Sequence, residues 1–323
     1  VESGDVAILG ESTPDGFRTG LAQEAWFARL FSVVEFAPAT KPDTEAIAHR
    51  ICDAASVEIR PGTLDRLIEL AAFYRQGTQE PGRSIGLLRR VLEDREDEDA
   101  PLSERDVFRT VSKSTGVPLV ILDDTMPLDL GEVRRFLEDR VMGQPAGVQA
   151  MIDLITLVKA GMTDPAKPYG VFFFVGPTGV GKTEMARALA EFLFGQASRL
   201  KRFDMSEYAT FSAFERLLGV GDRPGLLTEV VQEEPFSVIL LDEIEKAHVN
   251  VFDLCQQIID AGRLTDSRGR TADFRRAIVI LTSNVGSALA AEASVGFGDR
   301  LDAPPDRDAI ERALRQTFRP EFL

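Results

Sequence analysis

Residues 176–184 read GPTGVGKTE. Gly176, Gly181, Lys182 and Thr183 occupy the four fixed positions of G-x-x-x-x-G-K-[ST], a phosphate-cradling loop. No other stretch restricts the fold as strongly, because such a loop works only between a strand end and a helix N-terminus. Glycines reach positive φ without a Cβ penalty, so consecutive backbone N–H groups can turn inward around a phosphate. Gly176, Pro177, Thr178, Gly179, Val180, Gly181, Lys182, Thr183 and Glu184 are therefore the candidate cradle. The Lys182 ammonium would sit at the β and γ phosphates and the Thr183 hydroxyl on Mg2+. The implied ligand is a nucleotide with Mg2+.

The surrounding pattern agrees. VFFFVG (171–176) reads as a buried strand and KTEMARALAEFLFG (182–195) as an amphipathic helix ended by Gly195. LKRFD (200–204), FSVILLDE (236–243) and RRAIVILTSN (275–284) are apolar runs with polar ends. Alternation with helical segments predicts an α/β fold, a P-loop parallel sheet flanked by helices, with the polar ends along the ligand-binding carboxyl edge.

Two of those ends supply the remaining chemistry. Asp242 can hold Mg2+ through its water shell, and Glu243 can orient an attacking water. An adjacent glutamate suits hydrolysis better than transfer to a bulky acceptor. Asn284 would lie beside the phosphate loop, where an amide could bond the γ-phosphate or the lytic water. Each has a plain reading too, as an acidic strand end or a loop-starting Asn.

The first 140 residues differ. VAILG (6–10) and VVEF (33–36) have strand character. Helices are expected over 42–55, 62–76 and 83–94, with Thr44 and Thr63 as caps and Pro-Gly pairs as breaks. LEDREDEDA (92–100) reads as a solvated linker, followed by one more helix at 103–113. A formal charge of −15 argues against nucleic acid as a general partner. No run reaches the roughly 18 apolar residues of a membrane span, so a cytoplasmic protein is expected. Cys52 and Cys255 read as core residues, and His49 and His248 lack the spacing of a metal site.

The chain resembles the Clp-type AAA+ unfoldases, or heat-shock disaggregases, which carry two ATPase modules. GPTGVGKTE, RFDMSEY (202–208), SVILLDEIEKAH (237–248), GRLTDSRGRTADFR (262–275), LTSNVGS (281–287) and FRPEFL (318–323) are similar to the second module. RVMGQPAGVQAM (140–151) is similar to the segment before it, which implies that backbone at Val141 and Met142 meets adenine. The implied division is 1–36 as the end of the first large subdomain, 37–95 as its small helical subdomain, 96–139 as a linker and 140–323 as the second large subdomain. The implied activity is ATP hydrolysis that drives polypeptide through a hexameric ring, and it should be weak in this stretch alone. Arg29 aligns with a trans-acting arginine of the first module. Val295-Gly296-Phe297 stands where protease-linked members dock a ClpP-type peptidase.

The chain departs from that pattern in the family's Tyr-Val-Gly pore loop. GVGDRPGLLTE (219–229) is shorter and has no aromatic side chain to grip substrate. An ATP-gated assembly scaffold or adaptor without threading is therefore a rival expectation. A small-molecule kinase fits the phosphate loop and little else. The first module's own phosphate loop and the residues expected after FRPEFL are not in the sequence, as for a portion of a larger protein.

Overall fold

A computed structural model describes residues 9–13, 16–17, 26, 29, 31–74, 78–221, 223–285 and 307–318. The chain divides into two compact units, residues 1–39 and 40–323. In the first, residues 33–36 form no strand, and Val33, Val34 and Phe36 are exposed. No described strand pairs with them, and an unpaired strand leaves its backbone groups to water. Of VAILG, residues 6–8 lie outside the described residues.

The second unit opens with helices α1 (Lys41–Ala54), α2 (Thr63–Tyr74), α3 (Gly82–Asp94) and α4 (Glu104–Thr115). The cap of α1 is Thr40, not Thr44. Thr40 accepts from the Asp43 N–H at 3.3 Å while Asp43 reaches back to the Thr40 N–H at 3.4 Å. That reciprocal box needs a three-residue spacing, which Thr40 and Asp43 provide, and Pro42 fits the first turn. Thr44 is buried inside the helix and donates to the Thr40 carbonyl at 2.9 Å. Nor is Thr63 seen capping: its hydroxyl donates to the Leu102 carbonyl at 3.4 Å.

The stretch read as a linker carries α4, the short α5 (Leu119–Leu122) and α6 (Leu130–Arg140). Leu102, Val107, Val111, Val117 and Leu137 in it are fully buried. Helix α7 (Pro145–Lys159) then leads to strand β1 (Gly170–Val175), and α8 (Lys182–Phe194) to β2 (Leu200–Asp204). Helix α9 (Phe211–Leu218), the hairpin strands β3 (Gly219–Val220) and β4 (Arg223–Pro224), and α10 (Leu226–Glu233) come before β5 (Val238–Asp242). Helix α11 (Asn250–Ala261), the two-stranded pair β6 (Arg263–Thr265) and β7 (Thr271–Asp273), strand β8 (Ile278–Ser283) and helix α12 (Arg307–Thr317) complete the described elements.

The main sheet is parallel, in the order β1-β8-β5-β2. Alternate residues of its central strands face opposite ways. Val238, Leu240, Ile278 and Ile280 join a core reaching back to the first helices, whereas Ile239, Leu241, Val279 and Leu281 pack with α9 to α11. Burial on both faces explains the uninterrupted apolar runs. Register aligns Val175 with Ser283 and Asp204 with Asp242, so the polar strand ends share one edge.

Candidate nucleotide site

The cradle is built as its composition requires. Gly179 and Gly181 adopt φ of 89° and 97°, in the left-handed region, immediately before α8 begins at Lys182. The Gly176 N–H donates to the Ser283 carbonyl at 3.2 Å, which ties the loop to β8. Pro177, Thr178 and Gly179 are exposed, and Thr183 lies half-buried in the first turn of α8. Glu184 is exposed and lies 3.6 Å from Arg187. Nothing lies within 4 Å of a Cβ built at Gly179, beyond its chain neighbours.

Lys182 is the cation of the site. Its Nζ donates to the Gly176 and Pro177 carbonyls, the latter at 2.9 Å, and to Asn284 Oδ1 at 2.8 Å. Burial pushes its pKa down, opposed by the charges of Asp242, Glu245 and Glu243. A triphosphate would reinforce the charged form, so this donor set fits ATP.

Asn284 joins the two halves of the site. Its Nδ2 donates to Glu243 Oε1 at 2.7 Å while its Oδ1 accepts from Lys182. One amide thus touches both the phosphate-loop lysine and the candidate water-orienting acid. The pairing of β1 with β8 makes this possible. Asp242 is buried, with Thr282 Oγ1 donating to Oδ1 and Arg202 bonding Oδ2 at 2.8 and 2.7 Å. Glu243 has φ 58°, ψ 53°, a left-handed conformation costing about 1–3 kcal/mol that surrounding contacts must over-determine. Its N–H donates to Thr282 Oγ1 at 3.0 Å, and Lys246 pairs with its carboxylate.

Val141 is buried and Met142 85% exposed, the residues implied for adenine. They line a cleft of about 300 Å³ with Glu138, Gly143, Gln144, Pro145 and Val148. The cleft adjoins the cradle, since Gln144 Nε2 donates to the Val180 carbonyl at 3.3 Å and a Cβ on Gly181 would lie 3.2 Å from Val141 Cγ1. Its apolar walls and size suit a purine.

Arg29 is an exposed turn residue of the other unit. Val295-Gly296-Phe297 lies outside the described residues. Sequence reasoning missed Arg202, Lys246 and Glu245, which accepts the Asn284 N–H at 3.0 Å. Arg202 carried a signal, because it sits two residues before the acidic end of a strand and so faces the same way as Asp204. In the shortened stretch β3 pairs antiparallel with β4, and α10 begins at Leu226. Gly219 has φ 83°, and a Cβ there would meet the Arg223 carbonyl at 2.6 Å.

Residues 167–323 match the family described as AAA domain (Cdc48 subfamily). The chain is 45% identical over 228 residues to chaperone protein ClpB 1 of Nostoc sp., covering 69% of this chain and 26% of that one. It is also 45% identical over 232 residues to the ATP-dependent Clp protease ATP-binding subunit ClpC of Staphylococcus aureus, covering 69% and 28%. Among solved structures, a closed-state reconstruction of Hsp104 with ATPγS and FITC casein superposes with a TM-score of 0.77 at 30% identity, over 99% of this chain and 57% of that one. The Hsp104:casein complex of S. cerevisiae in its extended conformation gives 0.76 at 30% identity, over 96% and 55%. The chain therefore spans roughly a quarter of the length of these curated relatives.

Proposed function

Because the chain belongs to the Clp-type AAA+ ATPases and has their P-loop fold, we propose that it binds ATP with Mg2+ at the edge of its parallel sheet and hydrolyses it. The protein of which it forms part would use that turnover to remodel polypeptides as a ring-shaped, hexameric assembly in the cytoplasm. The observation that carries the hydrolytic reading is the Asn284 bridge, 2.8 Å from Lys182 and 2.7 Å from Glu243. Lys182 and the cradle amides would hold the β and γ phosphates. Thr183 and Asp242 would hold Mg2+, which when bound neutralises phosphate charge. Glu243 polarises the attacking water, Asn284 orients it against the γ-phosphate, and Val141 with Met142 receives the adenine. Arg29 is proposed as a charge offered to a neighbouring subunit. Val295-Gly296-Phe297 is proposed as the docking loop for a ClpP-type peptidase. The domain division stands as proposed at 1–36, 37–95, 96–139 and 140–323.

Glu243→Gln tests the core of this reading. In the ring-forming protein, ATP binding should persist while steady-state phosphate release falls by about 100-fold or more. Unchanged release would remove Glu243 from the mechanism.

The short antiparallel pairing of β3 with β4 favours a second reading, in which ATP controls assembly and no polypeptide is threaded by this ring. Residues Gly219, Val220, Gly221, Arg223, Pro224 and Gly225 include no aromatic side chain. ATP-driven unfolding of a tagged globular substrate that survives inactivation of the other ATPase module would reject that second reading.

A further inference from the structure

We infer that Thr282 is the positioning residue that sets Asp242 and Glu243 in working geometry through a single hydroxyl, an assignment resting on the proposed ATP reading only for its catalytic consequence. Thr282 lies on β8 and is fully buried. Because Leu241 pairs with Leu281 in register, Thr282 comes level with Asp242 at the end of the neighbouring strand. Its Oγ1 donates its one proton to Asp242 Oδ1 and accepts the Glu243 N–H at 3.0 Å. The same oxygen therefore orients the buried carboxylate and anchors the next peptide unit.

That anchoring bears on an unusual backbone. Among the described residues only Ser56 and Glu243 are non-glycine residues with positive φ. A left-handed glutamate needs external restraint, and the bond from its own N–H to Thr282 supplies it directly. The turn sends the Glu243 side chain to Asn284, whereas Arg202 holds the other oxygen of Asp242. Threonine suits the task because its hydroxyl can donate and accept at once. Valine would keep the shape but leave the Glu243 N–H and Asp242 Oδ1 each short of a buried partner.

The test compares Thr282→Val and Thr282→Ser with the unsubstituted chain. Amide exchange at Glu243, referenced to Leu240 in the same strand, should accelerate about tenfold in Thr282→Val and return close to the original rate in Thr282→Ser. Titration with a fluorescent ATP analogue should show Mg2+-free affinity unchanged in Thr282→Val, with the affinity gained on adding Mg2+ reduced about tenfold. In the ring-forming protein, kcat/KM for MgATP should fall, with the weaker Mg2+-dependent binding and a lower kcat both contributing. Unaltered exchange at Glu243 in Thr282→Val would overturn the inference, as would acceleration that Thr282→Ser fails to reverse. Absence of ATP binding by the unsubstituted chain would instead overturn the proposed function, and the exchange comparison would still decide the role of Thr282.

Discussion

The chemistry of single residues here is decided by burial and by what each group touches. Cys255 is buried, and desolvation pushes its thiol up to about 12. Since the thiolate is the reactive form, a disulfide reagent at pH 8 should leave Cys255 unmodified in the native chain and label it after unfolding. Native labelling would contradict the burial. Asp266 shows the opposite balance. Burial pushes its pKa up, but bonds from Arg270 and from the Arg268 and Arg270 amides outweigh it and hold the carboxyl below its usual range. Its contribution is therefore present above the unfolded pKa of about 3.9 and is lost as pH falls through the lower folded value. Asp266→Asn should destabilise the chain by about 1–3 kcal/mol at pH 7. Melting curves should show that gap narrowing below pH 4.

At the scale of elements, helix ends decide how the cradle is held. Helix α8 ends at Gly195, φ 77°, where a Cβ would stand 2.1 Å from the Gly116 carbonyl. Gly116 is itself the left-handed cap of α4. Two helix ends thus meet backbone to backbone, at a distance no other residue allows. Gly143, φ 76°, has open space around it. Gly195→Ala should lower the melting temperature clearly more than Gly143→Ala, whose cost is limited to the backbone conformation, about 1–2 kcal/mol. Equal shifts would show that α8 does not rest on α4 in this way. The end of α6 and the cradle helix are linked further along by Arg140, which pairs with Glu191 at 2.8 Å and stacks 3.6 Å over Phe136.

Across the second unit, one buried cluster runs from Ala48 in α1 to Ile280 in β8. The helical segment and the cradle face of the sheet therefore share a core. Arg276 adds a polar link, lying 3.3 Å from Glu69 and 5.3 Å from the Tyr169 ring centre. Leu137, fully buried in α6, sits within that cluster. Leu137→Ala should cost about 2–5 kcal/mol and shift one cooperative transition for residues 40–323. A separate early melting of the helical segment, followed by hydrogen exchange, would show two cores instead. Among the described residues no helix is long and apolar enough to cross a membrane.

The local rules of glycine, apolar period and strand ends were enough to place the phosphate loop, its strand and helix, the four sheet strands and the pair Asp242 and Glu243. Each depends on neighbours within a few residues, which a sequence displays directly. Contacts between distant strands were not legible: Arg202 reaching Asp242 across 40 positions, Glu245 under Asn284 and the hydroxyl of Thr282 all depend on which strands lie side by side. The caps moved from Thr44 to Thr40 because a reciprocal bond outweighed the propensity of one side chain, and Thr63 turned to Leu102 once that segment packed beside it. The phosphate-loop motif and the apolar runs around it determined that this chain would build a P-loop on a parallel sheet. Register between strands, set by burial on both faces of that sheet, decided which side chains meet around it.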